Sequence, residues 1–416
     1  MTIPQPTRDG QVIFFDGEWQ YPAVTELTAW RNVQGLGTPA FQGTCAVYLA
    51  FPWATLVDLL DRNQSHRSAE LLRALGQCSS LVLPGEYVIT VCQHIGLRRH
   101  MRLFEQSRIN QIFWSHAEKS DKDCSPGSIK IEPFPLFSVQ KPMEEKEFSS
   151  RQYLCSFVGA RATDLYRSQA RNWIHEIIEN EPDCAVATQA TWFFNEVVYS
   201  KQILGQRVVL DGKERQARDY SAVMSDTRFA LCPSGTGPNT IRLWEALEHG
   251  CVPVILADGW WAPGTEALWE QGCVIVPETM DSVKALPQLL RQLESDNAVM
   301  EKKRAALAQL KLLYHSECLV PDLLSRAVQL GKYENKVAAV LDNWGASDSA
   351  MSRLALLSIN LAAHESLANK NVASTFRLLY ERAVSREMDT SVISSKVVDI
   401  CREQFWEISQ LCASLE

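Results

Sequence analysis

Short, nearly continuous apolar runs alternate with amphipathic stretches over the first three-quarters of the chain. Before residue 140, QVIFFDG, CAVYLAF, SLVL, YVITVCQH, QIFWSH and SIKIEPFPLF read as strands. RSAELLRALG and RRHMRLFEQS, between them, repeat apolar residues at helical spacing. This alternation predicts an α/β layer with a largely parallel sheet, and the continuous runs predict strands covered on both faces. Residues 138–152, SVQKPMEEKEFSSRQ, are polar and charged and read as an exposed linker. A second α/β series follows. LCSFVGA, DCAVATQ, RFALCP, CVPVILAD and CVIVPE are strands; DLYRSQARNWIHEIIEN and SVKALPQLLRQLES are helices, the latter with Pro287 near its first turns. From about residue 297 the pattern is helical to the end, with no fixed-period repeat. That region either braces the other two or mediates self-association.

Composition narrows the class. The 416 residues are 46% apolar and 22% charged, which excludes a wholly disordered chain. A formal net charge of −8 argues against broad affinity for nucleic acid or anionic membrane. The 12 cysteines show no C-x-x-C spacing, and many sit within apolar runs. They read as reduced, buried small hydrophobes. The N-terminal residues lack the basic and apolar regions of a secretory signal, and no uncharged apolar stretch reaches the ~18 residues of a membrane span. The expectation is a cytoplasmic protein.

The chemistry concentrates in residues 224–264, MSDTRFALCPSGTGPNTIRLWEALEHGCVPVILADGWWAPG. They read strand, small-residue loop, helix, glycine cap, strand. The loop is Ser234, Gly235, Thr236, Gly237 and Pro238; Asn239 or Thr240 can cap the helix, and Gly250 ends it. Backbone donors and the helix dipole converge at such a loop, which suits a phosphate. G-x-G-x-x-T lacks the third glycine of a dinucleotide fingerprint, and no Gly-Lys-Ser/Thr follows it. A nicotinamide-dependent oxidoreductase and a P-loop NTPase are therefore disfavoured. Arg242, Glu245 and His249 share one helix face. Arg242 could pair with a diphosphate and Glu245 could accept ribose hydroxyls. An ordinary Arg–Glu pair on a solvated face has the same spacing.

This segment resembles the signature of the exostosin-type glycosyltransferases through Phe229, Leu231, Pro233, Gly235, Thr240, Arg242, Glu245, Ala246, Gly250, Cys251, Pro253, Val254 and Asp258. Tyr220 fits an upstream tyrosine of that pattern. LCSFVGARATDLYRSQAR resembles the strand opening the family's donor domain, with Gly159 and Arg171 matched. The chain departs from the pattern at Gly237-Pro238-Asn239, where many members carry Thr-Pro-Ser. The resemblance is specific over residues 154–260. It implies a GT-B fold, two Rossmann-like parallel-sheet domains facing a cleft, here with a helical C-terminal region. The corresponding boundaries are 1–150 for the acceptor domain, 151–300 for the donor domain and 301–416 for the helices. It also implies an inverting, metal-independent transfer from a nucleotide sugar, typically a UDP-sugar, to a glycan or glycoconjugate. The nucleotide sugar is a substrate, and no cofactor is required. Ser234, Gly235, Thr236, Gly237, Asn239, Thr240, Gly159, Arg171, Arg242 and Glu245 would hold the donor.

One-step inversion needs a base from the first domain. His94, ending YVITVCQH, leads; His116, ending QIFWSH, follows, with Asp16 and Glu86 as carboxylate alternatives. Arg98, Arg99, His100 and Arg102 form a small basic cluster. Trp260-Trp261 and Phe51-Pro52-Trp53 could stack on sugar rings or belong to the core. Asp121-Lys122-Asp123 is the only DxD triplet in the sequence, and it lies in a polar segment that reads as a solvated loop. A non-catalytic nucleotide- or carbohydrate-binding scaffold on the same fold is the main rival.

Overall fold

The computed structural model describes residues 4–21, 23–36, 46–122, 129–142, 146–189, 198, 200, 202–205 and 213–314. They build two open sheets. The first comprises β1 (Thr7–Asp9), β2 (Val12–Phe14), β3 (Ala46–Ala50), β4 (Tyr87–Cys92), β5 (Ile109–Trp114) and β6 (Lys130–Pro133), in that spatial order. β1 and β2 are antiparallel; every later neighbour is parallel. Helices α1 (Thr25–Leu36), α2 (Trp53–Asp61), α3 (Ser65–Ser80) and α4 (Met101–Gln106) complete this half.

Strand β3 shows why its sequence is uniformly apolar. Val47 and Leu49 pack with Trp53, Leu56 and Leu75 on one face, while Ala46, Tyr48 and Ala50 pack with Trp30 and Val33 on the other. With both faces covered, alternation has no physical reason to appear. SLVL is not a strand. Ser80 ends α3, and Leu83, 56% exposed, lies in the turn before β4. Four apolar residues are too few to separate a strand from a helix end.

The second sheet has β7 (Tyr153–Gly159), β8 (Cys184–Thr188), β9 (Thr227–Pro233), β10 (Val252–Leu256) and β11 (Val274–Ile275), all parallel, in the order β11-β10-β9-β7-β8. α5 (Ala170–Ile177), α6 (Lys213–Ser225), α7 (Ile241–Glu248), α8 (Glu266–Gly272), α9 (Met280–Ser295) and α10 (Asn297–Tyr314) pack with it. The order reverses at β7, which lies between β8 and β9. Crevices at such a reversal, beyond the carboxyl ends of the strands, are where open α/β sheets bind ligands. The two parallel-sheet halves have GT-B architecture. The helical segments expected after α10 lie outside the described residues. No helix among the described residues is long and apolar enough to cross a membrane.

Three local expectations change. Helix α5 begins only at Ala170; residues 164–169 turn toward the loop after β9, with the Arg167 N–H donating to Gly235 O at 3.0 Å. Pro287 lies in the interior of α9, buried, and not in its first turn. The segment read as an exposed linker is partly buried against the second half. Arg151 donates from Nη1 to Thr227 O (2.7 Å) and from Nη2 to His249 O (2.6 Å). It thus meets the carbonyl end of α7, where the helix dipole favours a cation. Lys141 O accepts from Ser221 Oγ at 2.9 Å, and the Gln140 N–H donates to Glu245 Oε1 at 3.2 Å. Charged composition signalled exposure, but these polar groups find partners on α6 and α7.

The chain also crosses back between halves. Val198 and Ile203 are buried in the first half's core, and Arg67 Nη1 donates to the carbonyls of Gln202 (2.7 Å) and Ile203 (3.0 Å). Residues in the middle of the expected donor segment therefore help to build the first half.

Glu245 fastens α7 to the connecting segment. Tyr220 Oη donates to its Oε2 at 2.7 Å, and burial pushes its carboxyl up to about 7. The folded chain therefore holds a proton that the unfolded chain releases above the ordinary carboxyl value. The associated stability is fully present below about 4.5 and is lost as pH rises through about 7. Glu245→Gln should remove this slope. Urea midpoints should show the wild type losing roughly 3 kcal/mol relative to the variant between pH 4.5 and 8.

Candidate functional site

The loop after β9 begins at Ser234, whose N–H donates to Leu256 O at 2.9 Å. Gly235 N–H donates to Gly237 O at 3.0 Å and closes the turn. Thr240 stands at the N-cap of α7 without a side-chain cap bond. Asn239 does not cap either; its Oδ1 accepts from Trp244 Nε1 (2.8 Å) and its Nδ2 donates to Ser115 O of the first half (2.7 Å). The glycine cap is as expected: Gly250 has φ 65°, a conformation that side chains disfavour.

Arg242 and Glu245 are 7% and 3% exposed, so the solvated-face alternative is overturned. They also serve different partners. Arg242 Nη2 donates to Val158 O at 2.5 Å, and its guanidinium lies 4.4 Å from the Phe157 ring centroid. Arg171, from α5, lies over the same ring at 5.6 Å and over Tyr166 at 4.7 Å. It donates from Nε to Ser234 O (3.2 Å) and from Nη1 to Ala160 O (3.4 Å). Among the described residues neither guanidinium is in an ion pair, and Arg242 Nε is buried without a partner. Burial, and then the charge of Arg242, hold Arg171 down at about 10. Two cations therefore converge at the β7–β9 reversal, in direct contact with ring faces and carbonyl oxygens, while the nearby Glu245 and Glu278 carboxylates bond to other groups. Gly159 is what permits this, since a Cβ there would stand 2.7 Å from Arg242 Nη2.

Glu278, just beyond β11, escaped the sequence reading. Its Oε1 accepts from the Ser234 N–H (3.2 Å) and Oγ (2.5 Å), and its own N–H donates to Asp258 Oδ1 (3.0 Å). Its signal was position alone, at the end of the run CVIVPE on the strands' carboxyl edge.

The first half brings His94 and His116 to the same edge. His94 Nδ1 accepts the Gly96 N–H at 2.9 Å, and Nε2 faces Asp58 Oδ1 at 3.2 Å. The neutral ring therefore carries its proton on Nε2, and both nitrogens are occupied. Gln20 Nε2 donates to Asp58 Oδ2 (2.7 Å), and Gln93 Nε2 to Gln20 Oε1 (3.0 Å). Glu26, also absent from the sequence reading, accepts the N–H groups of Ala54 (3.2 Å) and Gln93 (2.9 Å), and burial raises it to about 8. These residues form one buried polar network that only the strand register assembles.

His116 differs. It hydrogen-bonds to the Gln93 backbone, while its buried Nδ1 has no partner and lies against Gly237 across the interface. Burial above all, with the Arg167 charge adding to it, lowers it to about 3, so the ring is neutral at physiological pH. Neighbouring bonds tie the halves together: Trp261 N–H to Ala117 O (3.3 Å), Lys119 N–H to Gly259 O (3.0 Å), and a two-pronged Arg167–Glu118 pair at 3.0 and 2.9 Å.

The remaining expectations resolve by burial or pairing. Trp260, 5% exposed, packs edge-to-face on Trp269 at 5.1 Å and is core. Trp261 is half-buried at the interface beside Lys122. Phe51 and Trp53 are fully buried, Trp53 Nε1 donating to Thr90 Oγ1 at 2.7 Å, so they form no sugar platform. Glu86 pairs with Arg8 and so is no open base; Asp16 is exposed and accepts from Trp19 Nε1. Three of the four residues of the basic cluster are paired locally, Arg98 with Asp121, and Arg99 and His100 with Asp61, while Arg102 is exposed on α4.

Comparison with known proteins bears on this geometry. The profile of the Exostosin GT47 domain matches residues 93–293, from the end of β4 to within α9. The chain is 28% identical over 214 residues to the Exostosin-1 homolog of Caenorhabditis elegans, covering 49% of this chain and 54% of that protein. It is 28% identical over 203 residues to Exostosin-1 of Bos taurus, covering 45% and 25%. The chain thus spans about half of the first relative and a quarter of the second. A solved pneumococcal O-GlcNAc transferase, GtfA, in complex with UDP and GlcNAc, aligns at 11% identity and a TM-score of 0.37, covering 73% of this chain and 59% of that one. The exostosin-type resemblance of residues 154–260 therefore holds, and it extends into the first half.

The His116–Gly237 contact is testable. Gly237→Ala places a methyl group against the imidazole and should cost about 1–3 kcal/mol in urea unfolding. His116→Ala should restore much of that loss. The double variant should then be more stable than the two single effects added together, by about 1 kcal/mol or more.

Proposed function

Proceeding from the exostosin-type domain of residues 93–293, we propose that this chain is a glycosyltransferase that moves a sugar from a nucleoside-diphosphate donor to a glycan or glycoconjugate acceptor, with inversion. The observation that carries this reading is the pair of buried guanidiniums, Arg171 and Arg242, side by side at the β7–β9 reversal and in no ion pair among the described residues, the nearby carboxylates of Glu278 and Glu245 being hydrogen-bonded elsewhere. A diphosphate supplies the directly bonded anion that they lack. As the bond from the anomeric carbon to the diphosphate breaks, negative charge grows on the leaving oxygen. Two fixed cations in a poorly solvated site stabilise it without reorganising. The same cations remove the need for a divalent metal in this reading. UDP is the nucleotide implied by the family resemblance.

Roles follow from the bonds available. The Ser234 and Gly235 N–H groups are bonded within the second half, which leaves those of Thr236, Gly237, Asn239 and Thr240 to meet the phosphates once the loop parts from His116. Glu245, with Tyr220 and Gln140 on its oxygens, holds α7 and hence Arg242 in place. The ribose hydroxyls fall instead to Glu278, whose Oε1 grips Ser234 while Oε2 has no partner among the described residues. Ser234 lies between this carboxylate and Arg171, which suits a ribose beside a diphosphate.

The base is assigned to His116. Its Nδ1 keeps a free lone pair at the interface, whereas both nitrogens of His94 are engaged. His94 and Asp58 then position the acceptor side. The acceptor hydroxyl attacks the anomeric carbon, His116 takes its proton, and the nucleoside diphosphate leaves toward Arg171 and Arg242. Because Nδ1 rests on Gly237, the halves must part to admit both substrates. An incoming diphosphate also raises the basicity of His116.

Calorimetry tests this directly. UDP should bind in the presence of EDTA, and Arg171→Ala and Arg242→Ala should each weaken it about 10- to 100-fold, at ~1.5–3 kcal/mol per charged hydrogen bond. Uridine binding should change little. Absence of binding by UDP, GDP and CMP alike would overturn the donor site. Glu278→Ala should cut the preference for UDP over 2′-deoxy- or 3′-deoxy-UDP by roughly tenfold, while Glu245→Gln should leave that preference intact.

A further inference from the structure

Cys155 and Cys184 are separated along the chain by β7, α5 and their connections, yet the sheet register sets them directly opposite on β7 and β8. Their Sγ atoms lie 3.3 Å apart. Other described thiols are placed differently: Cys251 Sγ meets Arg151 and Met224 O, Cys232 Sγ meets Ala230 O, and Cys78, Cys92 and Cys273 are buried.

We propose that Cys155 and Cys184 form a thiol-oxidation site that reacts with low-molecular-weight disulfides and closes into a reversible disulfide between β7 and β8. Three observations fix the roles. Cys184 is half-buried on a strand that ends the sheet, so an incoming disulfide can reach it; Cys155 is fully buried behind it. An edge strand, with no described neighbour on its outer side, can yield the small distance that the bond requires. The hydrogen bond to Cys184, and burial, also keep the Cys155 thiol protonated well above the ordinary thiol range until its partner has reacted. Charged groups beside the pair are Asp183, with Oδ1 3.6 Å from Cys184 Sγ, and Arg291, which donates to Asp183 at 3.1 and 2.7 Å.

The chemistry balances in two exchanges. The Cys184 thiolate attacks RSSR, forming a mixed disulfide and releasing RS⁻, which takes up the proton that Cys184 gave to solvent. Cys155 then loses its proton, attacks the Cys184 sulfur and expels the second RS⁻, which is protonated in turn. Two protein thiols are oxidised to one disulfide, and RSSR is reduced to two RSH. The closed loop contains Gly159 and the whole of α5 with Arg171, so the bond fastens the Arg171 side of the cradle to β7. This inference rests on strand register and thiol placement and does not depend on the glycosyl-transfer reading.

The test treats the full chain with oxidised glutathione. It then traps free thiols with N-ethylmaleimide in denaturant and maps cysteine peptides by mass spectrometry. The expected product is a Cys155–Cys184 crosslinked peptide, two hydrogens lighter than the reduced pair and abolished by dithiothreitol. Oxidised wild type should melt several degrees higher than reduced, a shift absent in Cys184→Ser, which should leave Cys155 alkylated. If Cys184 carries glutathione without ring closure, or if both cysteines remain alkylated while glutathione has oxidised others, the proposal is overturned. The wild-type map decides this even if a variant fails to fold.

Discussion

Two positively charged side chains lie together in a dry corner of the second half, over one phenyl ring, with no carboxylate bonded to either. Burial strips water from the Arg171 charge and the Arg242 charge repels it, and the lowered Arg171 value registers those two costs in that order. The arrangement persists because everything around it is fixed. Phe157 supplies a ring face to both cations, Val158 and Ser234 supply carbonyl oxygens, and Gly159 clears the strand end. Much of the second half serves to hold α5 and α7 in register at the point where the strand order reverses.

The same economy of space governs the interface. Gly237 abuts His116, and Asn239 reaches across to Ser115, so the loop that faces the cradle also touches the first half. Loop and interface cannot move independently. A ligand that shifts residues 234–240 alters the environment of His116, and parting of the halves exposes both. The pair Arg167–Glu118 spans the same gap, and Arg167 is anchored to Gly235 through its own backbone N–H. The loop of residues 234–240 and His116 are thus mechanically linked through a few short-range contacts.

Much of the architecture was legible because its physical causes are local. Runs such as CAVYLAF and RFALCP are apolar throughout, which marks strands covered on both faces. The strand-loop-helix of 228–250, with its glycine cap, follows from backbone geometry that neighbouring residues dictate. Errors fell where local signals are degenerate or where distant partners decide. SLVL is too short to distinguish strand from helix end. The polar stretch 138–152 looked solvated because nothing in it announces that α6 and α7 offer matching donors and acceptors. Trp53 and Trp260 could equally have been platforms or core, since an indole's burial depends on what packs above it.

The sequence by itself determined two α/β layers, a phosphate-suited loop and Arg242 on the helix behind it, because periodicity and turn chemistry act over a few residues; Gly159 and Arg171 stood out only through the resemblance of residues 154–171 to the exostosin-type pattern. Only the tertiary structure decided which of these meet. It set two arginines on one ring, turned Glu245 inward to grip Tyr220 and Gln140, left His116 with the free nitrogen in preference to His94, brought Glu278 to Ser234, and paired Cys155 with Cys184. Each of those outcomes is a relation between residues that the packing of strands and helices brings together from different parts of the chain. Register and strand order, which no local spacing encodes, set the distances on which hydrogen bonds, ion pairs and thiol chemistry depend.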